Sequence, residues 1–463
     1  VGFAGAQDAR RRSNLVIVRG DSVSVSRDDI LRILKDEKVR YVRLWFADIN
    51  GRLRGLTIPE NELAEAMDRG VGFDGSSIEG FTRIEESDLM AVPDLDTFAI
   101  LPQQISDGRV ARFICNLKTP EGKPFEGDSR YVLKRTLEKH AAQGYTFYFG
   151  PEMEYFYFTD DKIPAPLDRV GYFDDSVVDV GTQARQMTGE ALMQMGISIE
   201  AIHHEVASSQ HEIDLTYADA LTMADRCLTC RFLVRAVARR QNLYASFMPK
   251  PVTGQNGSGM HTHQSVFKGD KNLFFDATDS YHLSKFGRSY MAGILKHVRA
   301  MTAVLNQTVN SFKRLVAGYE APVYITWGQK NRSALVRVPR YRVGDERATR
   351  IELRSPDPVC NPYLAFSVMI AAGMDGIQQS LVPPPSTEQN IYEMLMETRN
   401  QHGIQTLPGS LLESILESEK SDLVRETLGE HVFKRFIANK KVEWDRYSTA
   451  VTDYEIREYF PVC

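Results

Sequence analysis

The chain has 463 residues, 43% of them hydrophobic and 10% aromatic, and carries 56 Lys and Arg against 61 Asp and Glu for a net charge of −5. Such a composition can bury a sizeable core, which excludes a disordered chain, and the nearly balanced charge argues against a nucleic-acid or anionic-membrane surface. The longest apolar stretch, residues 362–374, stops at Asp375 and falls short of the ~20 residues a bilayer needs.

The opening stretch VGFAGAQDARRRSNLVIVRG has basic residues with no apolar segment behind them, so no secretory signal is expected and the cytoplasm is the expected location. The five cysteines fit that location. Cys227 and Cys230 form a CxxC, but Cys115, Cys360 and Cys463 are isolated and supply no second ligand pair for zinc. The surrounding ADRCLTCRFLVRAVARR has apolar residues at helical spacing. A packed helix with reduced thiols is the expectation.

Residues 1–25 lack periodicity and read as an N-terminal extension. Ser26 with Asp29 three positions on is a capping pattern that opens the helix DDILRILKDE. The strand-like runs VRYVRLWFADI and RLRGLTI follow, separated by the hairpin signal Asn50-Gly51. DTFAILP and VARFICNL read as further strands, which makes residues 26–118 a small α+β unit. The Pro- and Gly-rich TPEGKPFEGDS (119–129) is the expected boundary, giving segments 1–25, 26–125 and 126–463. Beyond it, helices such as RYVLKRTLEKHAAQ alternate irregularly with short strands, which favours an α+β fold over a doubly wound parallel sheet.

No GxxxxGK[ST] or HExxH occurs, and Gly257 with Gly259 is not completed to GxGxxG. Polar side chains gather elsewhere. In GPEMEYFYF, Glu152 and Glu154 share one face of a strand, with Met153 and Tyr155 on the other. In EAIHHEVASSQHEIDL, Glu205 and Glu212 flank a small polar turn that can bring them together across a hairpin. His261 and His263 share a face after the Gly-rich NGSGM, and Arg350, Glu352 and Arg354 share a face in RIELR. Taken singly, these are solvated strand faces or a cross-strand ion ladder. Taken together, five carboxylates and one imidazole suffice for two three-ligand, oxygen-rich sites that suit Mg²⁺ or Mn²⁺ and can clamp phosphoryl oxygens. The arginines Arg314, Arg332, Arg337, Arg350 and Arg354 suit several phosphates and a carboxylate.

The segments FDGSSIEGF, GPEMEYF, HHEVASSQHEID, FMPKP with NGSGMHTH, NSFKRLVAGYEAP, NRSALVRVP and RIELRSPDP run in order across roughly residues 28–463 and resemble the type I glutamine synthetases. The resemblance implies a small N-terminal β-grasp domain followed by a large catalytic α/β domain with a curved antiparallel sheet. It implies one metal at Glu154, Glu205 and Glu212 and a second at Glu152, His261 and Glu352. Glutamate would be held by Glu154, Asn256, Gly257, His261, Arg314, Glu320 and Arg354. ATP would meet Glu205, His263, Ser265, Arg332, Arg337 and Arg350, with Arg332 catalytic. Asp48 in WFADINGR would serve an ammonium site, with Tyr172 near it, and Glu320 would close over the site and accept a proton.

The implied reaction joins ammonia to L-glutamate through γ-glutamyl phosphate. The implied assembly is a homo-oligomer, a dodecamer of two hexameric rings with active sites between subunits, and no nucleic acid or membrane partner is expected. Ala47, Thr262 and Ala317 depart from residues common in the family, but none removes a ligand or proton acceptor. Tyr392 lies in NIYEMLMET, without the Pro-Pro context of the family's modified tyrosine. Arg83 in GFTRIEESD matches a feedback arginine. A glutamate–amine ligase acting on a polyamine or ethanolamine is the alternative, and a catalytically dead relative would be expected to have lost ligands that all remain.

Overall fold

A computed structural model describes residues 25–76, 78, 88–106, 109–319, 321–342 and 344–463. The extension 1–25 apart from Val25, together with Arg83 and Glu320, therefore lies outside the described residues. The first helix, Arg27–Asp36, is capped by Ser26, whose Oγ accepts from the Asp29 amide at 3.2 Å, and it buries Ile30 and Leu34. Six strands follow: β1 Tyr41–Ala47, β2 Leu53–Pro59, β3 Val71–Asp74, β4 Asp88–Pro93, β5 Ala99–Ile100 and β6 Val110–Lys118. They form one sheet in the order β2-β1-β6-β4-β3, with β5 beside β6. β1 and β2 pair antiparallel from Tyr41↔Pro59 to Ala47↔Leu53, as the Asn50-Gly51 turn requires, while β1 and β6 run parallel. Only the centre of DTFAILP is a strand, because Leu95–Thr97 forms a tight helical turn in which Thr97 donates its hydroxyl to Asp94 O.

The second sheet contains ten strands: β7 Tyr145–Phe158, β8 Ile199–His204, β9 Gln210–Leu215, β10 Ala218–Asp219, β11 Tyr244–Ser246, β12 Thr262–Lys268, β13 Lys271–Asn272, β14 Tyr324–Gly328, β15 Ala334–Arg337 and β16 Ile351–Leu353. Its main path is β14-β15-β16-β12-β7-β9-β8, antiparallel except between β14 and β15. Alternation along β7 sends Met153, Tyr155 and Tyr157, none with any exposed surface, into the core and leaves Glu152 and Glu154 on the opposite face. Helices Ser129–Ala141, Ala220–Arg240, Lys285–Leu305 and Pro362–Gln378 supply the rest of that core. All four have a side-chain N-cap, from Asp128, Asp219, Ser284 and Asn361. The architecture is the expected one: a small N-terminal β-grasp unit, then a larger mixed unit around an antiparallel sheet.

Cys227 and Cys230 are both buried within helix Ala220–Arg240 as free thiols, and burial pushes the Cys227 thiol up to about 12. Such burial is that of cysteines packed into a helix, as the apolar spacing predicts. Among the described residues, no helix is long and apolar enough to cross a membrane.

One guanidinium joins the two sheets' units. Arg130 gives Asp225 two bonds, Nε to Oδ1 at 3.0 Å and Nη2 to Oδ2 at 2.9 Å, and gives Asp94 and Asn116 bonds of 2.8 and 2.6 Å from Nη1. The Tyr363 hydroxyl donates to the same Asp225 at 2.6 Å. Arg130→Ala would leave the Asp225 charge buried with only neutral partners, a loss of about 3–5 kcal/mol by analogy with other broken buried pairs. A clear fall in the thermal midpoint checks this, and an unchanged midpoint would mean the pair is not stabilising.

Candidate active site

The catalytic sheet presents a cleft of about 300 Å³ over β7, β9, β12 and β16. The strand register sets its chemistry. Glu154 stands directly opposite Glu212 across β7 and β9, and Glu152 stands opposite Asp214. On the far side of β9, His203 is paired with Glu212, and on the far side of β7 the pair His263↔Glu352 joins β12 to β16. Four carboxylates thus meet as two cross-strand pairs, with imidazoles on either flank.

On one flank, His261 Nδ1 lies 2.8 Å from Glu152 Oε2 and 4.0 Å from both Glu154 Oε1 and Glu352 Oε1. His263 Nε2 lies 2.8 Å from Glu152 Oε1, and Arg350 Nε donates to His263 Nδ1 at 3.2 Å. His263 thus stands between the Glu152 carboxylate and the Arg350 guanidinium. Burial alone would raise the Glu152 carboxyl, but the bonds from His261 and His263 outweigh it and hold the carboxyl well below the ordinary range. Glu352 is buried as well, yet His263, Arg337 and Arg354 keep it low against burial and the Glu152 charge. Arg337 Nε reaches Glu352 Oε2 at 2.5 Å across β15 and β16.

On the other flank, His203 Nε2 lies 3.6 Å from Glu212 Oε1. Burial, then the charges of Glu154, Asp214 and Glu152, drive the Glu212 carboxyl well above the ordinary range. The Asp214 carboxyl is raised as well, chiefly by burial. One Asp214 oxygen is buried with no partner among the described residues.

The Gly-rich segment before β12 closes the floor. Glu154 Oε2 accepts from Gln210 Nε2 at 2.8 Å and from the Gly259 amide at 3.0 Å. A Cβ on Gly259 would sit 2.5 Å from Arg314 Nη2, and one on Gly257 only 2.2 Å from Pro249 O, so neither position has room for a side chain. Arg314 is buried and donates to the carbonyls of Arg354, Ser355 and Pro356. Arg354 is buried too, 3.2 Å from Glu352 Oε1, with Nε and Nη1 lacking an aligned acceptor among the described residues.

Thirteen of the expected residues line this cleft: Glu152, Glu154, Tyr172, Glu205, Glu212, Asn256, Gly257, His261, Arg314, Arg332, Arg337, Glu352 and Arg354. His263 and Arg350 stand behind it, linked to it through Glu152, and Ser265 is two residues further along β12. Glu152, His261 and Glu352 offer three ligand atoms within 4.8 Å of one another. Glu212 makes such a group with His203 and Asp214, while Glu205 turns its carboxylate onto the Val206 amide at 2.5 Å. Asp48 does not line the cleft of its own chain. Its carboxylate is fully buried, accepting from the Asn50 and Arg52 amides and from Arg54.

Asp214, His203 and Gln210 were missed by the sequence reading. The rule that paired Glu152 with Glu154 would have found Asp214, two residues after Glu212 on the same strand face. The donor set fits hard divalent cations, because a cation relieves the repulsion that protonates Glu212 and would satisfy the orphaned Asp214 oxygen.

Two family models match the chain: "Glutamine synthetase, beta-Grasp domain" over residues 38–120 and "Glutamine synthetase, catalytic domain" over residues 126–459. The chain belongs to the glutamine synthetase family. It is 49% identical to the "Glutamine synthetase" of Thermotoga maritima over 436 residues, covering 93% of this chain and 99% of that protein. The structure titled "GmaS/ADP complex-Conformation 1" matches with a TM-score of 0.85 at 30% identity, covering 94% of this chain and 99% of that one. The structure titled "CryoEM Plasmodium falciparum glutamine synthetase" matches with a TM-score of 0.84 at 27% identity, covering 95% of this chain and all of that one. Glutamine synthetases use ATP and divalent metal ions, and the acidic and histidine clusters of this cleft are suited to hold such ions.

The Glu212 proton makes metal binding pH-dependent with a definite sign. A carboxyl raised in the folded state stabilises the metal-free protein at low pH and stops doing so as pH rises through its folded value. A cation binds the ionised carboxylate, so Mg²⁺ or Mn²⁺ binding should release protons and tighten as pH rises. Calorimetry in buffers of different ionisation enthalpy measures the release, and Glu212→Gln should abolish it. A wild-type protein that releases no proton would show that Glu212 is already ionised.

Proposed function

We infer that this glutamine synthetase relative joins ammonia to L-glutamate at the expense of ATP, yielding L-glutamine, ADP and phosphate through γ-glutamyl phosphate. The observation that carries the reading is the array Glu152, Glu154, Glu212 and Asp214 on one floor, faced by Arg314, Arg332, Arg337 and Arg354. In the site we propose, Glu154, Glu205 and Glu212 hold one metal and Glu152, His261 and Glu352 the other, with Mg²⁺ or Mn²⁺ as the ions. Bound divalent cations would supply positive charge against the transferring phosphoryl group. Arg332, Arg337 and Arg350 add fixed positive charge for the ATP phosphates, while His263 and Ser265 lie along the same strand toward the nucleotide. The unaligned donors of Arg354, with Asn256, Gly257, His261 and Arg314, suit the charged ends of glutamate. Glu320 is assigned the role of accepting a proton after ammonia attacks the acyl phosphate. Cytoplasmic location belongs to the same proposal.

Phosphate release from ATP and glutamate tests the reaction directly. Ammonium should support it better than putrescine, spermidine or ethanolamine, and equal rates with the amines would favour the amine-ligase alternative. Glu320→Ala should lose about 10²–10⁴-fold in synthesis while keeping ATP binding, as expected for a general base. Full activity in that variant would remove the role.

The proposed division into 1–25, 26–125 and 126–463 has support from the two matched spans. It leaves Asp48 in the small unit and outside the lining of its own chain's cleft. We propose that Asp48 completes the ammonium site of a neighbouring subunit in a ring, as a head-to-tail contact allows, with two stacked hexamers as the assembly. Mixed assemblies of Asp48→Ala and Glu320→Ala subunits, each inactive alone, should recover roughly a quarter of normal activity at equal mixing. No recovery after demonstrated subunit exchange would place each site within one chain.

A further inference from the structure

Behind the cleft, on the side away from substrate, lies a second cluster that the reaction does not use: Asp168, Asp179, His204 and His211, all buried, with ligand atoms within 4.8 Å of one another. By residue type it could be a cation cage. A cation already occupies it, however, because Arg185 Nη1 lies 2.8 Å from both Asp179 Oδ2 and His211 Nδ1. His211 Nε2 has no partner among the described residues, but a Cβ on Gly181 would fall 2.4 Å from it, so that nitrogen faces backbone and not a vacant ligand position. The cluster is better understood by what it holds.

Its contacts converge on the turn between β8 and β9 that carries Glu205. Asp168 Oδ1 accepts from His204 Nε2 at 3.3 Å and from the Ser209 amide at 2.9 Å, so one oxygen grips the residue before the turn and a residue near its end. Ser209 returns the contact: its Oγ accepts from the amides of Leu167 and Asp168 at 2.5 and 3.4 Å. Ser209 has φ +63°, a conformation that a non-glycine residue holds only when its surroundings enforce it. The other ring nitrogen of His204 reaches Glu205 itself, Nδ1 lying 2.7 Å from the Glu205 carbonyl. Both ring nitrogens therefore face acceptors, and the ring has no freedom to flip. Gln210, next to Ser209, carries the same restraint onward by donating to Glu154 Oε2 and to Gly257 O.

We propose that Asp168 is a positioning residue: through His204 and Ser209 it sets where Glu205 is presented to the cleft, and so sets the affinity of the metal ion that Glu205 helps to hold. The proposal deepens the ligase reading and rests on its assignment of Glu205. It differs from a general stabilising role because the clamp touches one metal set only. These bonds end on Glu205 and, through Gln210, on Glu154, and none of them ends on Glu152, His261 or Glu352.

Asp168→Ala removes the shared acceptor, whereas Asp168→Asn keeps an oxygen in its place. Mn²⁺ titration followed by electron paramagnetic resonance counts the ions and their affinities. Outer-shell changes of this kind typically weaken a site ~10–100-fold. In Asp168→Ala one of two Mn²⁺ ions should weaken by about that factor, the other should hold its affinity, and Asp168→Asn should recover most of the loss. Amide hydrogen exchange on the metal-free protein should speed up across residues 204–210 in Asp168→Ala. Ser209→Ala, a smaller change in case Asp168→Ala does not fold, should shift both readouts in the same direction to a lesser extent. Unchanged exchange across 204–210, or equal weakening of both ions, would overturn the proposal. A wild-type protein that binds no Mn²⁺ would instead overturn the ligase reading, and the exchange comparison would still decide whether Asp168 clamps the turn.

Discussion

Glu152 and Glu154 on one strand face Asp214 and Glu212 on the next, and the repulsion among them organises most of what surrounds them. Two unit charges about 4 Å apart repel by ~4 kcal/mol at an effective dielectric near 20, several times the ~1.4 kcal/mol that moves a pKa by one unit. Four charges cannot all persist unaided. The structure divides the problem by position. Near β12 and β16, His261, His263, Arg337 and Arg354 surround Glu152 and Glu352 and keep them ionised. Near β8 the group beside Glu212 is His203, and burial with the neighbouring charges pushes the Glu212 carboxyl well above its ordinary range. Two neighbouring halves of one cleft therefore meet an incoming cation differently, one with its carboxyls held low and one with a carboxyl pushed up.

That division also explains why the backbone comes so close beneath Glu154. With Glu212 opposite, Glu154 cannot rely on a strong cation there, and it takes its bonds from an amide and a carboxamide instead, Gly259 N and Gln210 Nε2. The amide can reach it only because residue 259 lacks a side chain. Arg314, packed against the same glycine, spends its donors on three backbone carbonyls and so holds the loop after β16 against the loop before β12. The glycines of NGSGM serve close packing here and not a phosphate-binding turn, in keeping with the missing GxGxxG.

How much of this could be read in advance follows from which contacts are local. The paired faces of GPEMEYFYF and RIELR were legible, because a period of two follows from strand geometry alone. The fold class and most cleft residues were legible through ordered motifs. Register was not: nothing in the chain says that Glu154 meets Glu212 and not Asp214, and the proton on Glu212 depends on that pairing. The clamp was also invisible, since Asp168 and Ser209 are 41 positions apart and each is an ordinary loop residue by composition. DTFAILP was read as a longer strand than it is because a threonine side chain bonding a local carbonyl outcompetes the ladder.

The N-terminal hairpin is held by the same economy of contacts. Asn361 caps helix Pro362–Gln378 with its side-chain oxygen and gives its amide hydrogens to the carbonyls of Asp48 and Ile49. Gln307 donates to Asn50 O and to Val359 O, tying the hairpin tip to the segment just before that helix. Gly51, at φ +71°, allows the approach, since a Cβ there would lie 2.6 Å from Asn361 Cα. The turn that carries Asp48 is thus docked on the catalytic unit, its carboxylate already bonded to two amides and to Arg54. Any partner that uses this carboxylate meets it in a fixed position and has to compete with Arg54, the one charged donor in that set and a partly exposed one. Displacing a half-solvated arginine costs little, whereas moving the turn would break the helix cap and both carbonyl contacts behind it. The hairpin is built to keep its backbone still and to let one side chain give way.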